Sequence, residues 1–276
     1  MFKFRLILTI GLFLSFVGFT VISTAQDNDW RLRKTNHFII SYKNASDKFL
    51  DKVKDISEEG YYKISKDLGL LRDESWLWEK RANIYIYDSK QEYLLATSMP
   101  DWSQGAAVPD KRTVYTYSDS YKFLDDLFIH ELTHIILREF VKGNALALWF
   151  DEGVATYMEP AKRSTYTSAL SKILNKGDYI SIPDILAMNF FKLNSLSSAK
   201  DNDSNKSGFS DIEKFYIESF SLVNFLMDKY DRYRFVVLCR KVRDGEDFNR
   251  AFFSAYKDFK DPQDLENKWK RYYLQR

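Results

Sequence analysis

A chain of 276 residues, 45% hydrophobic and 29% charged, can bury a substantial core and is not disordered as a whole. Its 41 basic residues barely exceed its 39 acidic ones, which excludes nucleic acid as an expected partner. The single cysteine, Cys239, forbids an internal disulfide and reads as a core residue, leaving burial or a bound ion to stabilise the fold.

The first 25 residues stand apart. Lys3 and Arg5 precede the apolar run Leu6 to Ile22, and Ser23-Thr24-Ala25 places small residues where a signal peptidase cuts. This reads as a signal peptide, residues 1–25, cleaved after Ala25, with residues 26–276 exported as a periplasmic or secreted protein. The competing expectation is an uncleaved membrane anchor, because the apolar run just reaches the length that spans a bilayer. Without Lys3 and Arg5 the basic count falls to the acidic count of 39.

Asn36 to Tyr42, dense in β-branched and aromatic residues, predicts a strand, and Lys48 to Leu68 predicts a helix from the spacing of Phe49, Val53, Ile56, Tyr61, Ile64 and Leu68. Arg81 to Tyr87 alternates as a second strand, and Ser89 caps a helix that runs to Met99. Gln104 to Val108, the turn Pro109-Asp110-Lys111 and Arg112 to Tyr117 form a hairpin pattern. Beyond Asp119 only helices are expected, at about 122–142, 146–160, 163–175, 211–229, 232–243, 247–257 and 262–274. Asn194 to Ser210 is rich in Ser, Asn, Asp and Lys and reads as a surface loop. Asn-x-Ser sequons occur at Asn44, Asn202 and Asn205.

The chemistry lies in His130-Glu131-Leu132-Thr133-His134, inside a strongly helical pattern. Residues four apart share a helix face, so both imidazoles can reach one metal at about 2.0–2.1 Å, with Glu131 beside them as a base for the attacking water. Two of the three histidines of the chain lie in this motif. A third ligand is needed, and Glu152 stands 18 residues after His134, behind a turn at Gly143 that lets the next helix return antiparallel. Asp151 is the competing carboxylate.

The segments HELTH and WFDEGVA resemble the gluzincin zinc metallopeptidases, and among them the peptidase MA-like family, whose signature is HExxH followed by WxxEGxA. The resemblance implies that His130, His134 and Glu152 hold one zinc ion per chain and that Glu131 is catalytic. It implies a zincin-like α+β fold: a small N-terminal mixed α/β-sheet lobe with an edge strand, about residues 30–142, then an all-helical lobe, about 143–276. It further implies that a peptide or protein substrate pairs along the edge strand near Gln104–Val108, and that Tyr216 steadies the oxyanion.

Two departures bear on the activity. The segment Gly105-Ala106-Ala107-Val108-Pro109 lacks the glutamate with which zinc aminopeptidases hold a free amine, which points to an endopeptidase. Four residues after Glu152, where thermolysin-like enzymes carry an aspartate that orients a histidine, stands Thr156, so Glu159 or Asp126 is expected to take that role. The alternative to a zinc peptidase is an inactive peptidase-like binding module of the cell envelope.

Overall fold

Hydrophobic alternation at period two and at period 3.6 accounts for most of the elements in the structure, a computed structural model that describes residues 29–70, 76, 80–198 and 206–275. The expected signal peptide and the sequons Asn202 and Asn205 lie outside the described residues. Among those described, no helix is long and apolar enough to cross a membrane.

Five strands, β1 (Arg31–Lys34), β2 (Phe38–Tyr42), β3 (Ala82–Tyr87), β4 (Gly105–Val108) and β5 (Thr113–Tyr117), form one sheet in the order β1-β2-β3-β5-β4. The central pairs β2–β3 and β3–β5 are parallel, while β1–β2 and β4–β5 are antiparallel. In β3, Ala82, Ile84 and Ile86 are buried and Asn83, Tyr85 and Tyr87 are not, the pattern of a strand with one face on the core. Helix α1 (Asp47–Leu68) crosses between β2 and β3 and buries Phe49, Leu50, Val53, Ile64 and Leu68. Its start is fixed by Ser46, whose side chain accepts from Phe49 N–H, and its end by Gly69 in the left-handed region.

The expected hairpin forms as β4, a 3-10 turn at Pro109–Lys111, and β5, and it leaves β4 at the sheet edge. Helix α2 (Lys90–Thr97) precedes it. Strand β1 was not expected, because Arg31-Leu32-Arg33-Lys34 carries no apolar alternation. It is mostly exposed and owes its conformation to pairing with β2, the usual condition of a charged edge strand.

The expected helix 122–142 is two helices, α3 (Tyr121–Asp126) and α4 (Phe128–Phe140), separated at Leu127, where φ and ψ are −125° and −23°. The apolar pattern runs through the break, since Phe123, Leu124, Leu127 and Phe128 are all buried, so periodicity gave no sign of it. The expected helices 146–160 and 163–175 are α5 (Leu148–Tyr157) and α6 (Pro160–Asn175). Pro160 accounts for the shift, because proline opens a helix more readily than it continues one. Two short helices, α7 (Ile182–Leu186) and α8 (Phe190–Ser198), were not expected, and α8 corrects the start of the polar loop, since 194–198 is helical.

The remaining helices, α9 (Asp211–Lys229), α10 (Arg232–Arg243), α11 (Phe248–Ala255) and α12 (Pro262–Leu274), fall close to their expected limits. Helix α9 opens with a reciprocal cap between Ser210 and Glu213. Cys239 is fully buried, as expected of a core residue.

Candidate metal centre

Every residue of α4 from His130 to Leu137 is buried, so this helix is a core element that carries its polar side chains inward. Polar groups placed there need partners. After α4, Gly143 adopts φ 73° and its N–H bonds to Arg138 O, which closes the helix and turns the chain toward α5. Helix α5 then returns Asp151 and Glu152 to the two histidines, as the sequence predicted.

His130 Nε2 and His134 Nε2 lie 3.1 Å apart, and Glu152 Oε2 is 3.4 Å from the first and 3.9 Å from the second. A triangle with those sides has a circumradius of about 2.0 Å, so one point lies at the usual metal-to-ligand bond length from all three atoms. The outer nitrogens are already committed. His130 Nδ1 is 2.7 Å from Glu159 Oε1 and His134 Nδ1 is 2.9 Å from Asp151 Oδ1. A carboxylate only accepts, so each Nδ1 donates and each Nε2 keeps a lone pair for the space between them. Glu152 Oε2, buried, has no hydrogen-bond partner among the described residues.

Two facing lone pairs and an orphaned carboxylate oxygen call for a cation. The charges around them agree: Glu159 pairs with Lys162 Nζ at 2.8 Å and Asp151 with Arg138 at 2.8 Å, whereas Glu131 and Glu152 have no lysine or arginine partner among the described residues. Burial works against a charged His130, but the neighbouring carboxylates of Glu152 and Glu159 outweigh that and raise its pKa to about 10. The site therefore holds a proton or a metal ion among these three side chains, and the donor set of two imidazoles and a carboxylate suits a metal.

Asp151 is not the third ligand, since its oxygens are taken by His134 and by Arg138 Nε and Nη2; these charges bring its pKa to about 2 against the effect of burial. Of the two carboxylates expected to orient a histidine, Glu159 does so. Asp126 does not; it is on the exposed α3 surface, paired with Lys122.

Glu131, 7% exposed, sits beside the three candidate ligands. Burial raises its pKa above the usual carboxylate value, the charge of Glu152 adds to this, and the two imidazoles and the backbone of Ala107 in β4 pull the other way. The edge strand thus lies against the acid at the centre of the site.

Tyr216, buried on α9, feels the charges of the same cluster. Burial, followed by the charges of Glu152, Tyr166 and Glu131, holds its hydroxyl pKa well above the ordinary value. The approach of α9 depends on Gly153, because a Cβ there would stand 2.5 Å from Ser219 O. Ser219 is one turn from Tyr216, so the glycine beside Glu152 lets the tyrosine's helix pack closely on α5. Tyr166 of α6, buried and near Glu152 and Glu159, was not singled out by the sequence, nor were Arg138 and Lys162. The signals existed for the last two, at i+4 from His134 and i+3 from Glu159, but charged residues at such spacing are common on solvated helix faces.

Residues 68–275 match the Peptidase MA superfamily, and the chain belongs to that superfamily, a class of peptidase-like hydrolase folds. The match covers the whole run from the end of α1 through α12, including each residue of the metal centre. No curated protein matches the chain.

Proposed function

We propose that this chain is an exported zinc-dependent peptidase, and specifically an endopeptidase, with His130, His134 and Glu152 as the metal ligands. The observation that carries the reading is the trio of inward-facing ligand atoms, two of them lone pairs fixed by Nδ1 bonds and the third an orphaned oxygen. Zinc held there supplies a Lewis acid that polarises a carbonyl and makes water more acidic.

The protein's own groups supply the rest. Glu131 takes the proton of the attacking water and delivers it to the departing amine, a role helped by the burial that makes it a stronger base. The Tyr216 hydroxyl, kept protonated by its surroundings, donates to the oxygen that gains negative charge. Among the described residues strand β4 has a neighbouring strand on one side only, so an extended peptide can add to its other edge and lie across Glu131. Its sequence offers no acidic side chain for a terminal amine, which favours cleavage within a chain.

Zinc content of the purified protein, beside His134→Ala and Glu152→Ala, tests the ligands: about one zinc per chain is expected, lost in both variants. Glu131→Gln should keep the zinc and lose at least about 100-fold in peptide hydrolysis. Full hydrolysis by that variant would remove Glu131 from the mechanism, and turnover by neither protein would favour the inactive binding module.

A further inference from the structure

The two ligand histidines are held by different parts of the fold. His134 is oriented from within the α4–α5 pair, by Asp151 beside the ligand Glu152 and by Arg138 one turn along α4. His130 is oriented from outside that pair. Its partner Glu159 comes after the end of α5, at the N-cap position of α6, with backbone angles of −91° and 95°. The Glu159 carboxylate spends no hydrogen bond on capping α6. Its Oε1 takes His130 Nδ1 at 2.7 Å and Lys162 Nζ at 3.0 Å, and Oε2 lies 2.8 Å from the same ammonium.

Glu159 is 5% exposed, whereas the Lys162 side chain is 30% exposed and lies in the first turn of α6. A buried carboxylate costs several kcal/mol unless it is paired, so Lys162 and His130 together keep Glu159 charged and in place. The junction between α5 and α6 is therefore a built device. Pro160 holds the preceding Glu159 in an extended conformation, so its carboxylate points back at α4 instead of continuing the α5 surface.

We propose that Lys162 is a positioning residue for the metal: it fixes the Glu159 carboxylate that orients His130, so α6 sets metal affinity without supplying a ligand. This deepens the proposed function, since it rests on His130 being a ligand.

The test is competition for zinc against a chromophoric chelator, on the full-length protein and on Glu159→Gln, Glu159→Ala, Lys162→Met and Lys162→Arg. Loss of a group that orients a metal-bound histidine lowers affinity by about 10–100-fold. Glu159→Ala should fall in that range, Glu159→Gln should lose less because its amide oxygen still accepts from Nδ1, and Lys162→Met should weaken binding several-fold. Lys162→Arg should restore it, which a merely structural role for the lysine would not require. Cobalt-substituted wild type and Glu159→Ala should also differ in their visible ligand-field bands. Equal zinc affinity for wild type and Lys162→Met overturns the proposal while leaving the peptidase reading intact. Absence of zinc binding by the wild type, with folding verified, overturns both.

Discussion

Replacing Gly153 by alanine tests the packing that brings Tyr216 to the metal centre. A Cβ at this position would lie 2.5 Å from Ser219 O, 2.9 Å from Ser219 C and 2.8 Å from Val223 Cγ2. The first two are backbone atoms, so no side-chain rotation relieves them, and α5 and α9 must part. Overpacking of this kind costs about 1–3 kcal/mol, with a rigid backbone contact at the upper end. Alanine in a helix interior returns about 1 kcal/mol over glycine. The balance is a net loss of roughly 1–2 kcal/mol, which for a chain of this size lowers Tm by a few degrees. Because Glu152 precedes the glycine and Tyr216 lies one turn from Ser219, zinc affinity should fall with stability. Thermal unfolding in chelator and a zinc titration measure the two effects separately. An alanine variant as stable as the wild type, with unchanged zinc affinity, would refute the claim that this approach is tight.

Glu218 of α9 is fully buried, accepts from Ile180 N–H at 3.0 Å, and has its other oxygen without a hydrogen-bond partner among the described residues. Burial, the largest cause, raises its pKa well above the ordinary carboxylate value. A group that holds its proton more tightly when folded stabilises the fold at low pH, and that contribution is lost as pH rises from the unfolded toward the folded pKa. Glu218→Gln, which needs no proton, should thus have a higher Tm than wild type near pH 8, and the gap should close toward pH 4; a gap that widens on acidification would contradict this. Chelator should lower the Tm of the zinc-loaded wild type, by the equivalent of about 2.7 kcal/mol when free zinc had stood at 100 times Kd, and should not change that of His134→Ala. Equal responses of the two proteins would detach the metal from these ligands.

Much of the fold and site was legible because the relevant physics is local. His130, Glu131 and His134 fall on one face of α4 by helical geometry alone, and the alternation in Arg81 to Tyr87 exposes one face of β3 to the core. The return of Glu152 needed only a turn glycine and a second helix. The charge balance, the lone buried Cys239 and the β4–β5 hairpin were likewise written in residue order.

What residue order could not decide was which distant groups meet. Strand β1 exists because β2 offers it an edge, and the break at Leu127 is hidden because both sides of it face the same core. Asp151 and Glu152 are adjacent, equally plausible carboxylates in a list of residues. Only the packing of α5 on α4 turns one toward the open histidine nitrogens and the other toward His134 Nδ1 and Arg138. The choice of Glu159 over Asp126, and the burial of Tyr216 within the influence of the Glu152 charge, depend on where α6 and α9 come to rest. A motif fixes the spacing of groups along one helix, whereas the partners that orient those groups come from other helices, whose approach is set by close contacts such as that of Gly153 with Ser219.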